Sequence, residues 1–253
     1  MLNKTLYDHY WTKGWVVVPD VFSHDEMERM AELSMAAGKS QLDSDNAMAV
    51  DQSVDGNAKA PRKIDQPFLK EPRFRDYVLD QQLRGLVEAL IGRRPLLFAD
   101  QIFMKPPHFG SSKPYHQDNF YFRLRPKDHV ITAWIAMDDV NEENGCLRYI
   151  DGSHRESILP HDPISNEPYN LAPPEHLIDR SRESLALVDK GGVVCHHVET
   201  LHTSHRNESS RWRRAYATHW VSDQVTSMDE QNDQFNQAYF KQPELAPLFQ
   251  AAE

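Results

Sequence analysis

The sequence has few cysteines and no long apolar run, and both absences narrow the class of protein. Its 253 residues include only Cys146 and Cys195, too few for a disulfide framework, so a reducing intracellular environment is expected. No apolar run approaches the ~18 residues that a membrane-spanning helix requires. The first ten residues lack the charged start and the apolar stretch of a secretory signal. We therefore expect a soluble, cytoplasmic protein that makes no membrane contact.

The sequence also has fewer basic than acidic residues. Lys and Arg number 28 against 38 Asp and Glu, which gives a formal net charge of −10 and a pI near 5.7. Because binding to nucleic-acid phosphates needs a basic face, we expect no nucleic-acid partner. The hydrophobic and charged fractions, 40% and 26%, are those of an ordinary globular protein. We expect a single domain over residues 1–253 that exists as a monomer or a homodimer.

The signals for local structure change along the chain. Helical signals dominate residues 1–94, and a capping-box pattern at Ser23 and Glu26 predicts the start of one helix there. Residues 40–62 are polar and aperiodic, which predicts a long loop, and such loops often act as lids. Strand signals dominate residues 95–222. A Gln- and Asp-rich tail, residues 223–253, is predicted to be a surface helix or partly loose.

The strand-rich region predicts the fold class. Strand signals occur at residues 96–104, 130–137, 146–150, 185–188, 193–195 and 215–221. Asn144-Gly145 predicts a hairpin turn, with residues 146–150 as the returning strand. Short strands with tight turns and no alternating helices predict an antiparallel β-sandwich or jelly roll, mainly β with flanking helices.

Histidines followed two residues later by an acid suggest a metal site. Of four such triplets, about two are expected by chance, so context has to separate them. His116 and Asp118 lie among aromatic residues, where strand alternation would point both to one face. His202 lies on a strand that a jelly roll could bring alongside. Two histidines and a carboxylate form the facial triad of non-haem Fe(II) oxygenases, although these residues could instead be hydrogen-bonded barrel residues.

Two further groups of residues leave alternatives open. His197 and Glu199 with His202 form a rival set of metal ligands from one short segment. A basic cluster beside the proximal ligands could receive an anionic substrate or be a solvated rim; its members are Lys105, Lys113, Arg123, Arg125 and Lys127.

Arg213 begins a predicted strand eleven residues after His202. A guanidinium inside a barrel needs an anionic partner, because an unpaired buried charge is costly. A dicarboxylic co-substrate that chelates iron through its 2-oxo acid end would supply that anion. Strand alternation puts Arg211 and Arg213 on one face and Arg214 on the other, and leaves open which face is inside.

Several blocks in order resemble the phytanoyl-CoA dioxygenase family of Fe(II)/2-oxoglutarate-dependent oxygenases. The blocks run from about Pro95 to Val221, and the N-terminal helices agree less well. They are His116-Gln117-Asp118-x-x-Tyr121-Phe122-x-x-Arg125-Pro126-x-Asp128, Ala133-Trp134-x-Ala136-Met137, Asn144-Gly145-Cys146-Leu147, Gly152-Ser153-His154, Leu201-His202-x-Ser204 and Arg213-x-Ala215. The sequence departs from the family at Thr203 and His205, where many members have glycine.

The resemblance implies a cupin-like double-stranded β-helix with Fe(II), 2-oxoglutarate and O2. His116, Asp118 and His202 would bind the iron, and Arg213 with Ser204 would bind the distal carboxylate of 2-oxoglutarate. Trp134, Lys63 and Gln101 occupy further co-substrate positions. The implied activity is hydroxylation of an unactivated C–H bond of a small organic or acyl substrate, with release of succinate and CO2. Because halogenating relatives of this fold lack the carboxylate ligand, Asp118 predicts hydroxylation rather than chlorination.

Two other functions compete with this expectation. One is a cupin-like metal-dependent isomerase, lyase or hydrolase that does not use 2-oxoglutarate and does not require Arg213. The other is a non-catalytic β-sandwich binding module. We expect residues 40–62 and 155–183 to shape the substrate pocket.

Overall fold

Two antiparallel sheets, one of six strands and one of four, form the centre of the molecule. The structure is a computed structural model that describes residues 2–42, 48–165 and 167–250. The α-helices are α1 (Lys4–Lys13), α2 (His24–Gly38), α3 (Pro67–Lys70), α4 (Arg75–Val78), α5 (Gln81–Ile91), α6 (Asp118–Phe122) and α7 (Asp233–Asn236). The strands are β1 (Trp15–Val18), β2 (Val50–Gln52), β3 (Lys59–Pro61), β4 (Lys63–Asp65), β5 (Leu96–Lys105), β6 (Lys113–His116), β7 (Leu124–Arg125), β8 (Val130–Ala136), β9 (Leu147–Ile150), β10 (Asp162–Ile164), β11 (Glu167–Ala172), β12 (Glu183–Ala186), β13 (Val193–His197), β14 (His202–Ser204), β15 (Arg213–Val221) and β16 (Thr226–Ser227).

The strand order confirms the predicted double-stranded β-helix. The six-stranded sheet runs β1-β13-β8-β15-β5-β4, and the four-stranded sheet runs β12-β9-β14-β6. Strands that follow one another in the chain, such as β8 and β9 or β13 and β14, therefore lie in opposite sheets, as in a jelly roll. Three two-stranded ribbons, β2–β3, β7–β16 and β10–β11, complete the described strands.

Alternation along β8 shows how the six-stranded sheet is buried on both faces. Ile131, Ala133 and Ile135 pack in the outer core beneath the helices. Trp134 and Ala136 point the other way, into a smaller core between the two sheets. Because successive strand residues face opposite sides, one strand contributes to both cores. The side between the sheets is called the inner face below.

The helices cover the outer face of this sheet. The capping box is confirmed: the Ser23 hydroxyl accepts from the Glu26 amide, and the Glu26 carboxylate accepts from the Ser23 amide. Met27 and Met30, one turn further along α2, are fully buried in the outer core. Within the described ranges, no helix is both long and apolar enough to cross a membrane.

The hairpin predicted at Asn144-Gly145 is wrong. A turn is present, and the Gly145 amide donates to the Glu142 carbonyl at 3.2 Å. However, β8 pairs with β13 and β15, whereas β9 pairs with β12 and β14. Val140 bridges to Val188 before the turn, so the chain leaves the first sheet and enters the second. The turn thus connects the two sheets instead of closing a ribbon.

Segments outside the β-rich region also differ from the sequence expectations. Residues 40–62, predicted as a loop, contain the β2–β3 ribbon, and residues 43–47 lie outside the described residues. β4 belongs to the first 94 residues, where helical signals dominate, yet it joins the six-stranded sheet. In the tail, Phe235, Tyr239 and Phe249 are buried in the outer core beside the helices. Side-chain packing therefore orders the described part of the tail.

Candidate metal centre and co-substrate site

The structure brings His116, Asp118 and His202 together. His116 ends β6, His202 begins β14, and the two residues face each other in the four-stranded sheet. Asp118 Oδ1 lies 3.7 Å from His116 Nε2 and 3.8 Å from His202 Nε2. Within residues 2–42, 48–165 and 167–250, this is the one group of three or more histidine, cysteine or acidic side chains with the spacing of metal ligands.

Asp118 is the first residue of α6 and so lies just beyond the predicted strand. It still meets His116, as strand alternation predicts. Gln117 between them is extended, with φ −116° and ψ 128°. Its side-chain amide donates to the Glu199 carbonyl at 2.8 Å, and its side-chain oxygen accepts from the Leu159 amide at 2.8 Å. These bonds fix the start of α6 beneath the two histidines.

Both histidines present Nε2 towards the centre of the group. His116 Nδ1 lies 2.9 Å from the Pro114 carbonyl, and His202 Nδ1 lies 2.9 Å from the Thr200 carbonyl. A carbonyl can only accept, so each Nδ1 carries the proton and each Nε2 keeps a free lone pair. Burial lowers the pKa of His116 well below its usual value and that of His202 to about 4. Both imidazoles are therefore neutral near pH 7, the form that binds metals.

Asp118 is held as a carboxylate. Burial alone would raise its pKa, but the hydrogen bond from His196 and the nearby His202 keep that pKa well below its usual range. Oδ2 accepts from Thr132 Oγ1 at 2.8 Å and from His196 Nε2 at 3.1 Å. Two bare imidazole nitrogens and one carboxylate oxygen therefore converge on one point, a donor set suited to Fe(II).

The rival ligand set is not assembled. The His197 ring faces Asp128, with Nε2 3.2 Å from Oδ1. Glu199 pairs with Lys127 at 3.0 Å and accepts from the side-chain amide of Asn119. Of these three candidates, only His202 reaches the centre formed with His116 and Asp118.

Arg213 is a buried cation on the inner face. It is 2% exposed and, within the described residues, its guanidinium forms no ion pair or hydrogen bond. Its Cζ lies 5.4 Å from the centre of the Trp134 ring. Burial lowers its pKa to about 10, so it remains charged near neutral pH. An unpaired buried charge is costly, and an anionic ligand would remove that cost.

The neighbours of Arg213 settle which face of the strand is inside. Arg214 points to the other side and forms a two-pronged ion pair with Asp138, at 2.9 and 2.6 Å. Arg211 precedes β15 and is exposed, so it does not share the inner face with Arg213 as alternation had suggested.

The remaining predicted co-substrate residues line the same inner face. Trp134 stacks beside Arg213, and Ser204 is buried two residues after His202 on β14. Gln101 on β5 lies one strand from Arg213, opposite Ala217. Lys63 on β4 lies two strands away, next to Asp65 at 2.7 Å and over the Phe103 ring.

The predicted basic cluster is not one surface. Arg123 and Arg125 are exposed, and Lys127 pairs with Glu199. Lys105 is instead buried on β5 opposite Arg213 and donates to the backbone carbonyls of Ser204 and His205. Burial lowers the pKa of this lysine well below its usual value, and the nearby Arg213 lowers it further.

Thr132 and Tyr149 contribute to the site without having been predicted. Thr132 is the one hydroxyl in the otherwise apolar β8, and that isolation is the sequence signal that could have indicated it. The Tyr149 hydroxyl is hydrogen-bonded to His196 Nδ1 at 2.8 Å. Nothing in the sequence near Tyr149 indicates that contact, because His196 is 47 residues away.

Comparison with known proteins identifies a family and a fold that match most of the chain. The model of the phytanoyl-CoA dioxygenase family matches residues 10–215. The human peroxisomal phytanoyl-CoA dioxygenase is 31% identical over 164 residues, 62% of this chain and 48% of that protein. A phytanoyl-CoA dioxygenase domain-containing protein 1 homolog of Caenorhabditis briggsae is 26% identical over 195 residues, 74% of this chain and 68% of that protein. The alignments thus span from about half to about two thirds of these relatives.

Solved structures share the fold over most of the chain. EvdO2 of Micromonospora carbonacea var. aurantiaca, complexed with 2-oxoglutarate, superposes with a TM-score of 0.71 at 20% identity, covering 91% of this chain and 94% of EvdO2. The non-haem, α-ketoglutarate-dependent carbocyclase SnoK of nogalamycin biosynthesis gives a TM-score of 0.70 at 24% identity, covering 89% and 86%. The epimerase SnoN of the same pathway gives 0.67 at 20%, covering 89% and 85%.

The fold, the site and the matching family model together define a 2-oxoglutarate-dependent non-haem iron oxygenase. The chain belongs to the phytanoyl-CoA dioxygenase family.

Proposed function

We propose that this enzyme uses Fe(II), 2-oxoglutarate and O2 to hydroxylate an unactivated C–H bond of a small organic or acyl substrate, releasing succinate and CO2. One observation carries the proposal. A buried guanidinium without a partner, that of Arg213, shares the inner face with the bare nitrogens of two neutral histidines. The first feature fits a dicarboxylate and the second fits iron.

His116, Asp118 and His202 would hold the metal. An Fe(II) ion bound there would activate O2, the oxidant, for attack on a C–H bond, while 2-oxoglutarate would supply electrons as it is decarboxylated to succinate. The protein's own task is to keep both imidazoles neutral and correctly turned, which the Pro114 and Thr200 carbonyls do.

Arg213 would bind the far carboxylate of 2-oxoglutarate through its planar fork. Trp134 stands against the guanidinium and restricts its movement, and Ser204 adds a hydroxyl on β14. Between Arg213 and the metal ligands, the inner face carries the short side chains of Ala215 and Ala217. Larger residues there would fill the space that a five-carbon dicarboxylate needs.

Aromatic residues beside His116 would form the substrate entrance. Tyr121 is 38% exposed, and its ring centre lies 6.3 Å from that of His116. Phe120 stacks on His161, which precedes the β10–β11 ribbon, and this ribbon packs against β6. We propose that the ribbon helps to exclude water once substrate is bound.

Other functions fit the residues less well. A cupin-like isomerase, lyase or hydrolase without 2-oxoglutarate does not require Arg213, and a non-catalytic binding module does not require the three metal ligands. One observation favours a different reaction at the same kind of site. SnoK is described as a carbocyclase and SnoN as an epimerase. Product analysis separates these outcomes, since hydroxylation adds an oxygen atom and epimerisation does not.

The test is turnover of 2-oxoglutarate in air. Purified enzyme with Fe(II) should release succinate, and a panel of acyl and metabolite substrates should contain members that accelerate this release. His116→Ala should abolish it. His24→Ala is the matched control, because His24 also precedes an acid by two residues but is exposed at the start of α2. Succinate release that persists in His116→Ala would refute the assigned metal site.

A further inference from the structure

Only one oxygen of Asp118 faces the two histidines. Oδ1 is the atom nearest to His116 and His202, at 3.7 and 3.8 Å. Oδ2 is turned away and occupied by two donors, Thr132 and His196. Both donor side chains are 2% exposed, so water does not compete for these bonds.

The chemistry of the partners fixes the direction of every bond around Oδ2. A carboxylate can only accept, so the single hydroxyl proton of Thr132 is donated to Asp118. The contact between Thr132 Oγ1 and His219 Nδ1, at 2.8 Å, must then be donated by His219. These hydrogen bonds are therefore donated in one direction, from His219 to Thr132 and from Thr132 to Asp118.

The second contact of Oδ2 is fixed in the same way. Because a carboxylate can only accept, His196 Nε2 donates to Asp118. The Tyr149 hydroxyl is hydrogen-bonded to the other nitrogen of this ring, Nδ1, at 2.8 Å. Tyr149 is fully buried between the sheets and stacks on Trp15, with ring centres 5.0 Å apart. Its hydroxyl thus holds the His196 ring with Nε2 towards Asp118.

We infer that Thr132, His196 and Tyr149 are positioning residues that make Asp118 a one-oxygen metal ligand. The inference rests on the proposed metal site. It goes beyond that site by assigning the residues that determine how many oxygen atoms of Asp118 bind the metal. If Oδ2 were released, it could also reach the metal, and the carboxylate would take two coordination positions instead of one. One of the positions that 2-oxoglutarate needs for chelation would then be contested.

Rotation of Asp118 is opposed from two sides. Turning Oδ2 towards the histidines would leave a buried hydroxyl and a buried imidazole N–H without acceptors. An unsatisfied buried polar group is costly, so the two bonds together strongly favour the observed rotamer. Removing either donor weakens this preference, and removing the Tyr149 hydroxyl weakens it indirectly by freeing the His196 ring.

The experiment compares Mn(II) binding to metal-free wild type and variants by calorimetry. Thr132→Val keeps the shape of the side chain and removes the donor. His196→Leu removes the other donor, whereas His196→Gln retains an N–H near the Nε2 position. Tyr149→Phe removes only the hydroxyl that orients His196. We expect losses of Mn(II) affinity of about 10-fold for Thr132→Val, 10- to 100-fold for His196→Leu and several-fold for Tyr149→Phe, and substantial recovery in His196→Gln.

Matched controls come from the outer face. Thr218→Val and Tyr216→Phe remove buried hydroxyls from β15 that bond to Ala133 and Asp100 and not to Asp118. Both should leave Mn(II) affinity unchanged. The Co(II)-loaded donor variants should also show an altered ligand-field spectrum and weaker 2-oxoglutarate binding, which a general loss of stability would not produce.

The outcomes separate this inference from the metal site on which it rests. If His116→Ala binds Mn(II) as well as wild type does, the metal site itself is wrong. If His116→Ala loses binding but Thr132→Val and Tyr149→Phe match wild type in Mn(II) affinity and Co(II) spectrum, the positioning role alone is overturned. Equal losses in the outer-face controls would also overturn it.

Discussion

Arg213 and Arg214 are neighbours in the chain with opposite environments, and this contrast makes a residue-scale prediction. Arg213→Lys keeps the charge but loses the planar fork that would bind a carboxylate at two points. We expect the KM for 2-oxoglutarate to rise about tenfold or more, with Mn(II) affinity nearly unchanged. Arg214→Lys disturbs only the Asp138 pair, so its KM should stay within about twofold of wild type. Steady-state kinetics would contradict the assignment if both variants behaved alike.

The sequence predicts the metal-binding residues better than it predicts the residues that hydrogen-bond to them. His116, Asp118 and His202 follow from their order and from the family resemblance. Strand alternation places Asp118 beside His116, because Gln117 is still extended, but it does not predict that Asp118 itself begins α6. The bonds of Asp118 to Thr132 and His196 require β8 and β13 to pair and α6 to lie beside them. Such contacts span tens of residues and leave no local pattern.

At the scale of elements, Asp100 joins three parts of the outer core. It accepts from the Phe68 amide at the start of α3, from Tyr216 on β15 and from Tyr239 in the C-terminal segment. Burial raises its pKa to about 6, against a usual value of 3.8, although the three hydrogen bonds oppose this rise. The folded state therefore favours the protonated carboxyl more than the unfolded state does.

The sign of the resulting pH dependence follows from linkage. A raised folded-state pKa contributes stability that is present below about pH 4 and lost as the pH rises through about 6. Asp100→Asn does not titrate, so the unfolding free energy of wild type minus that of the variant should decrease between these pH values. The decrease should be about 3 kcal/mol at most, since one pKa unit corresponds to about 1.4 kcal/mol. Urea unfolding at several pH values measures it, and a constant difference would contradict the prediction.

Two ribbons in polar segments are the elements most suited to respond to ligands. We expect amide exchange in β2–β3 and β10–β11 to slow when Mn(II), 2-oxoglutarate and an accepted substrate are bound without O2, because closure adds contacts to weakly packed segments. The amides of α5, buried in the outer core, serve as the internal control and should not change. Exchange in the ribbons that is already slow and unaffected by ligands would count against a lid.

Strand formation was predictable, but strand pairing was not. Apolar, β-branched and aromatic residues mark residues 130–137 and 215–221 as strands, and the structure has β8 and β15 there. The Asn144-Gly145 turn has the sequence of a hairpin, yet its two flanks enter different sheets. Turn residues specify a local reversal only, and the partner of each strand depends on which apolar faces meet. The β2–β3 ribbon escaped prediction because its strands are three residues long and half of their residues are polar.

At the scale of the molecule, stability and chemistry occupy opposite faces of one sheet. The outer face carries the large apolar core with the helices and the C-terminal segment. The inner face carries Arg213, Lys105 and the partners of Asp118, all of them polar groups that burial penalises. Because strand residues alternate, a substitution such as Thr132→Val can alter the inner face while leaving the outer core intact.

Ligand binding at the inner face should also raise the stability of the whole protein. A ligand that binds only the folded state raises its stability by RT ln(1 + [L]/Kd), or about 2.7 kcal/mol at 100 times Kd. Thermal unfolding of the metal-free enzyme should therefore shift to higher Tm with Mn(II), and again when 2-oxoglutarate is added. His116→Ala should lose the Mn(II) shift, whereas Arg213→Lys should retain it and lose most of the second shift. This pattern is expected because different residues bind the metal and the co-substrate. An Arg213→Lys variant that still gained the full second shift in Tm would show that the dicarboxylate binds elsewhere.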